Sequence, residues 1–160
     1  MMSLGDRGGG SLKQRIRSPV LRAMHVAWLG AGGPWQVPSL AQFDVAMPRQ
    51  DHFSLAEVDR STEPPGFRIV RVGAALVRQA GRPLLDERIG EHPARADEDP
   101  IGSAAWAYGR CLRTGMPSYE FGHFDFGDGP SMLFERLLLP VGRGGPATHI
   151  LCGAIFSDAP

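Results

Sequence analysis

An excess of charge of either sign is missing from this chain: Lys plus Arg and Asp plus Glu each number 17, so the formal net charge is zero. No whole-molecule field draws it to nucleic acid or to an acidic membrane surface, and neither is expected as a partner. Cysteine is scarce. Cys111 and Cys152 have no metal-ligand spacing and no secretory hydrophobic region is seen, so a reducing cytoplasm is the expected compartment. Apolar runs fall far short of the roughly 18 residues that a membrane-spanning helix needs. Lysine is almost absent, Lys13 standing alone against sixteen arginines, a bias that GC-rich coding produces and that hints at a bacterial source.

Enzyme signatures are also missing. There is no G-x-S-x-G elbow, no Walker loop and no dinucleotide fingerprint; Gly142, Gly144 and Gly145 lead into Pro146 and a strand where phosphate binding needs a helix N-terminus. His52, His92, His123 and His149 are scattered, and His123 with Asp125 is the only pair spaced like metal ligands. Two ligands without a third argue against a metal. The chain is therefore expected to be non-enzymatic.

What is present is one ordered series of elements in 160 residues, a length that suggests one domain burying roughly 70% of its unfolded surface. Residues 1–11 are Gly-rich and lack periodicity, and are expected to be a disordered tail. Residues 12–36 form a basic amphipathic unit and linker, with Leu12, Ile16, Val20, Met24 and Ala27 at helical spacing and Pro19 either dividing the helix or beginning it. The main domain spans 37–157. Strands are predicted over 52–58 and 67–72, as a hairpin, with short helices over 75–80 and 84–89 separated by Gly81 and Pro83.

Asp99 followed by Pro100 is a strong helix start, and Gly115 with Pro117 a strong stop. Ile101, Ala105, Tyr108 and Leu112 are expected to face the sheet. Strands follow over 119–126, 132–139 and 148–156. The 132–139 strand is apolar on both faces, Met132, Phe134 and Leu138 on one and Leu133, Leu137 and Leu139 on the other, so both need cover: the central helices on one side, and the 12–29 helix or a second subunit on the other.

This series resembles the PAS superfamily of small sensory domains. Local wording resembles the short single-domain bacterial, mainly alphaproteobacterial, branch: Val37-Pro38-Ser39, Ala41 and Phe43-Asp44, then Phe67-Arg68 to Val72-Gly73, Gly81-Arg82, and above all Phe134-Glu135-Arg136-Leu137-Leu138-Leu139-Pro140. Leu40, Gln42 and Leu85-Asp86 depart from that wording. The resemblance implies an α+β fold, a PAS-like five-stranded antiparallel sheet with helices on one face and an N-terminal helix flanking. It also frames the cofactors. The Asn-Cys-Arg-Phe block of flavin-adduct sensors is absent and the 99–114 helix has no histidine for haem, so the sequence argues against flavin and haem as well as metal, and any cofactor is unknown.

The expected ligand pocket lies between sheet and helices, with Phe67, Ile69, Arg71, Leu85, Ile89, Tyr108 and Phe134 as candidate lining. By alternation Phe67, Ile69 and Arg71 point one way, which leaves two readings of Arg71: a bidentate clamp for a ligand carboxylate, or a side chain reaching the rim or a structural acid. Met24, Trp28, Glu135 and Arg136 are candidates for an interface with a homodimer or signalling partner. The expected function is a signal-input module binding a small organic ligand and passing the signal through dimer or helix rearrangement; the alternative is a ligand-free dimerisation or docking scaffold.

Overall fold

The computed structural model describes residues 11–33, 35–42, 51–89, 100–124 and 132–158. Of the expected tail over 1–11, residues 1–10 lie outside them, as do the Asp99 cap and the 127–130 turn, while Ser11 is the N-cap of the first helix. Strands β1 (Phe53–Asp59), β2 (Gly66–Val72), β3 (Ser118–Phe124), β4 (Met132–Gly142) and β5 (Ala147–Asp158) form one sheet in the order β2-β1-β5-β4-β3. Every neighbouring pair in it is antiparallel.

Both faces are covered. On one, helices α3 (Ala74–Ala80) and α4 (Pro100–Thr114) close a core containing Phe67, Ile69, Leu76, Tyr108, Cys111, Leu138 and Ile150. On the other, α1 (Leu12–Arg15) and α2 (Pro19–Gly30) pack Ile16, Leu21, Met24 and Trp28 against Phe53, Leu55, Leu137, Leu139, Val141 and Leu151. The doubly apolar β4 strand is thus sandwiched, Leu138 facing one layer and Leu137 and Leu139 the other, as alternation requires. Pro19 begins α2, and Ser18 caps it by accepting the Leu21 amide.

The close seating of α2 depends on Gly153. A Cβ there would lie 2.5 Å from Leu21 Cδ2 and 2.7 Å from Met24 Sδ, so only glycine lets the helix approach β5 this closely. Gly115, with φ of 65°, ends α4 in the left-handed region, and its amide donates to the Cys111 carbonyl.

Three local expectations are corrected. Residues 84–89 are not helical: the Ile69 amide donates to the Glu87 carbonyl, the Asp86 amide to the Ile69 carbonyl and the Ile89 amide to the Phe67 carbonyl, while Asp86 takes φ of 67°. This segment pairs along β2, and Arg68 with Asp86 and Arg88 with Asp59 fasten it by ion pairs. The buried stripe of α4 is Ala104, Ala107, Tyr108 and Cys111, because small residues let the helix settle onto the sheet; Ala105 and Leu112 are half-buried, and the side chain of Ile101 lies outside the description. Finally, a bulge sets Leu55 opposite Arg71 and Ala56 opposite Ile69, leaving Val70 as the extra residue. Arg71 therefore shares the α2 side with Leu55, whereas Phe67 and Ile69 face α4.

Candidate ligand site

The residues expected to line one pocket divide among four environments. Phe67, Ile69 and Tyr108 are buried together, the Phe67 and Tyr108 rings meeting edge to face at 5.4 Å, and Ile89 packs half-buried beside them. They fill the middle of the layer rather than surround a space. Leu85 is 54% exposed, because the extended course of 84–89 turns Leu84 inward in its place. Arg71 lies on the opposite side of the sheet, in an open cleft of about 260 Å³ with Leu40, Asp51, Phe53, Leu55 and Leu151. Phe134 is on the helix side, stacked against Phe156 at 6.5 Å between centroids.

The stacking partner of Phe134, Phe156, leads to a second cleft on the helix side. This open cleft, also of about 260 Å³, lies between α3 and β5, with Ala154 and Phe156 as floor, Leu76 and Gln79 as wall and His52 and Arg78 completing the lining. Strand register sets the neighbours of that floor: Phe134 is directly opposite Phe156 and Arg136 directly opposite Ala154. Cross-strand neighbours on one face lie roughly 5 Å apart at Cβ, so Phe134 and Arg136 stand next to the lining residues Phe156 and Ala154 without lining the cleft themselves. Arg136 is buried and pairs with Glu120 across β3 and β4, its guanidinium 6.0 Å from the Phe134 ring centroid. The Gln79 amide reaches Met132 Sδ at 3.5 Å. Such a site suits a small flat ligand resting on Phe156 with its polar edge toward Gln79 and Arg78.

Deeper in the same layer, the Tyr108 hydroxyl lies beside Cys152 and Ser54; burial pushes Tyr108 well above the ordinary phenol range and raises Cys152 too. Burial likewise pushes Cys111 up to about 12. These thiols are held protonated, as structural cysteines are.

The candidate interface residues are used within the chain. Met24 and Trp28 are buried under the sheet, and Trp28 Nε1 donates to the Pro140 carbonyl at 2.9 Å, so neither side chain is available to a partner. The Glu135 carboxylate accepts from the Arg17 amide at 3.1 Å, the Ser18 amide at 3.0 Å and the Tyr119 hydroxyl at 2.9 Å, fastening the start of α2 to β4. Partial burial, then the bond to Glu135, pushes the Tyr119 phenol up to about 12. The sequence reading missed His52, Leu76, Arg78, Gln79, Ala154 and Phe156. Alternation along β5 carried part of the signal, since Ile150, Cys152, Ala154 and Phe156 share the helix-side face.

No protein-family model matches the chain, and no curated protein does. Solved structures do. A LOV protein of Rhodobacter sphaeroides is similar at 18% identity with a TM-score of 0.44, over 64% of this chain and 58% of that one. A fungal LOV domain photoreceptor is similar at 14% identity and 0.44, over 93% and 95%. An RNA-binding light-oxygen-voltage receptor is similar at 20% identity and 0.44, over 78% and 35%. The five-stranded antiparallel sheet with its helices is the α+β architecture that the sequence leads one to expect. The expectation set against flavin is withdrawn, since the structures matched are named as light-oxygen-voltage proteins and a photoreceptor. Among the described residues, no helix is long and apolar enough to cross a membrane.

Proposed function

We propose that this chain is a sensory input module, without catalytic activity of its own, that takes up a small flat organic ligand in the hollow between α3 and β5 and passes occupancy on through rearrangement of its helices or of a dimer. One observation supports the reading: a sheet covered on both faces, its central layer filled by Phe67, Tyr108 and Leu138, leaves an open cleft of about 260 Å³ at one flank over Ala154 and Phe156. The aromatic shelf favours a planar ring system, and a flavin is one such ligand. Because α3 supplies the wall, occupancy biases how α3 packs on the sheet.

The filled centre of the layer favours a second reading, a ligand-free docking scaffold. Native mass spectrometry of protein purified under non-denaturing conditions separates the two. The sensory reading expects a mass excess lost on denaturation and absent in Ala154→Trp, which fills the hollow. A bare polypeptide mass for the wild type, together with no thermal shift across a panel of planar heteroaromatic compounds, would leave the scaffold.

A further inference from the structure

We propose that His25 is an acid-sensitive latch for the N-terminal helix: protonation of its ring favours release of α2 from the sheet and uncovers the apolar β4–β5 face beneath. His25 lies in the middle of α2 and is only 5% exposed. Its ring stacks on Trp28 at 6.4 Å between centroids and 15° between planes, and among the described residues its Nδ1 is buried with no hydrogen-bond partner. An imidazolium must donate from both ring nitrogens, so the docked helix accommodates the neutral ring and strands a proton on Nδ1.

The surroundings reinforce the preference. The elements packed against α2 bring Lys13 from α1, Glu57 from β1, Glu135 from β4 and His149 from β5 to this side of the sheet, where Glu57 stands opposite His149 across β1 and β5. Glu135 is occupied by the Arg17 and Ser18 amides and the Tyr119 hydroxyl, so it holds the helix start and does not serve the ring. Burial first, then the cationic Lys13, lowers His25 from its ordinary value of 6.5. A released helix returns the ring to water and to about 6.5.

The sign follows from linkage. Docking is fully favoured above the released value and weakens as pH falls through the interval below it. The ratio of released to docked α2 rises by up to about tenfold per pH unit, until the docked ring itself takes up the proton. Release exposes Leu137, Leu139, Val141 and Leu151, a continuous apolar face that α2 otherwise hides.

Trp28 reports the event. Trp35 is 95% exposed and Trp106 56% exposed, so Trp35→Phe with Trp106→Phe leaves the buried Trp28 as the only indole of the chain's three. Acrylamide quenching of that protein is followed from about pH 8 to about pH 5, with far-UV circular dichroism monitoring the sheet. The expected result is a quenching constant that climbs severalfold below about pH 6.5 with the sheet signal retained, and a flat profile in His25→Gln. Burial also lowers His149, so His149→Gln is the control and keeps the climb. A flat wild-type profile, or the same climb in His25→Gln, overturns the latch. Should His25→Gln fail to fold, the wild-type ring is titrated by NMR: a value below 6.5 that reaches the ordinary range once α2 is loosened by Glu135→Ala supports it, and a docked ring titrating at or above 6.5 overturns it.

Discussion

Gly153→Ala adds one methyl group to β5 beneath α2, in the space that Leu21 Cδ2 and Met24 Sδ already occupy at 2.5 and 2.7 Å from the new Cβ, with Phe53 Cδ1 at 3.4 Å. Leu21 and Met24 have no exposed surface into which to move. The helix must therefore back away or the side chains must leave their rotamers, and overpacking of this kind costs about 1–3 kcal/mol. In a chain of this length that corresponds to a melting temperature lower by roughly 2–12 °C. Urea unfolding reads the loss, and hydrogen exchange reads its location: α2 amides exchange faster while β3 and α4 are unchanged. Met24→Ala alone leaves a cavity and costs about 2–5 kcal/mol. Combined with Gly153→Ala it removes the Met24 part of the clash and gives Leu21 room to shift, so the double variant loses less than the two single losses added, by about 1 kcal/mol. Strict additivity, or a Gly153→Ala protein within about 0.3 kcal/mol of wild type, would refute the close seating of α2.

Glu135→Ala removes the acceptor of two backbone amides and one phenol, and is expected to cost about 1–3 kcal/mol in chemical denaturation. The same variant lowers the Tyr119 phenol from about 12 toward 10, read by ultraviolet titration; an unmoved value would exclude the bond to Glu135. The Asp59 carboxyl is held at about 2, first by the Ser61 hydroxyl, then by the Ser61 amide and Arg88, so Ser61→Ala raises it in an NMR titration of the folded protein. Cys111 and Cys152 are buried and shifted upward, so Ellman's reagent finds no reactive thiol in the native protein near neutral pH and finds both after unfolding.

Much of the fold was legible because β4 carries apolar residues on both faces: a strand of that kind demands two covering layers, and the only other long amphipathic segment stood at the start of the chain. Pro19 and Ser18 marked where that helix begins, and Gly115 where α4 ends. Features set by pairing rather than composition were not legible. The β2 bulge leaves Val70 unpaired without a glycine or proline to announce it, and it carried Arg71 to the other side of the sheet. Residues 84–89 have helical spacing, yet the open edge of β2 offers their backbone better partners. Candidate site residues were chosen for bulk, and bulky residues such as Phe67 and Tyr108 fill space. The hollow was left by small ones, Ala75 and Ala154, whose meaning appears only when α3 is laid across β5.

Methyl-resolved NMR of the folded protein tests the hollow most directly, with ligand titrated from the copurified material or from riboflavin and other planar heteroaromatic compounds. Saturable shifts at Ala75, Leu76 and Ala154 are expected, with Leu40 and Leu55 beside Arg71 undisturbed. If every compound leaves those three methyls in place, or moves only the Arg71 cleft, the space between α3 and β5 is not a binding site.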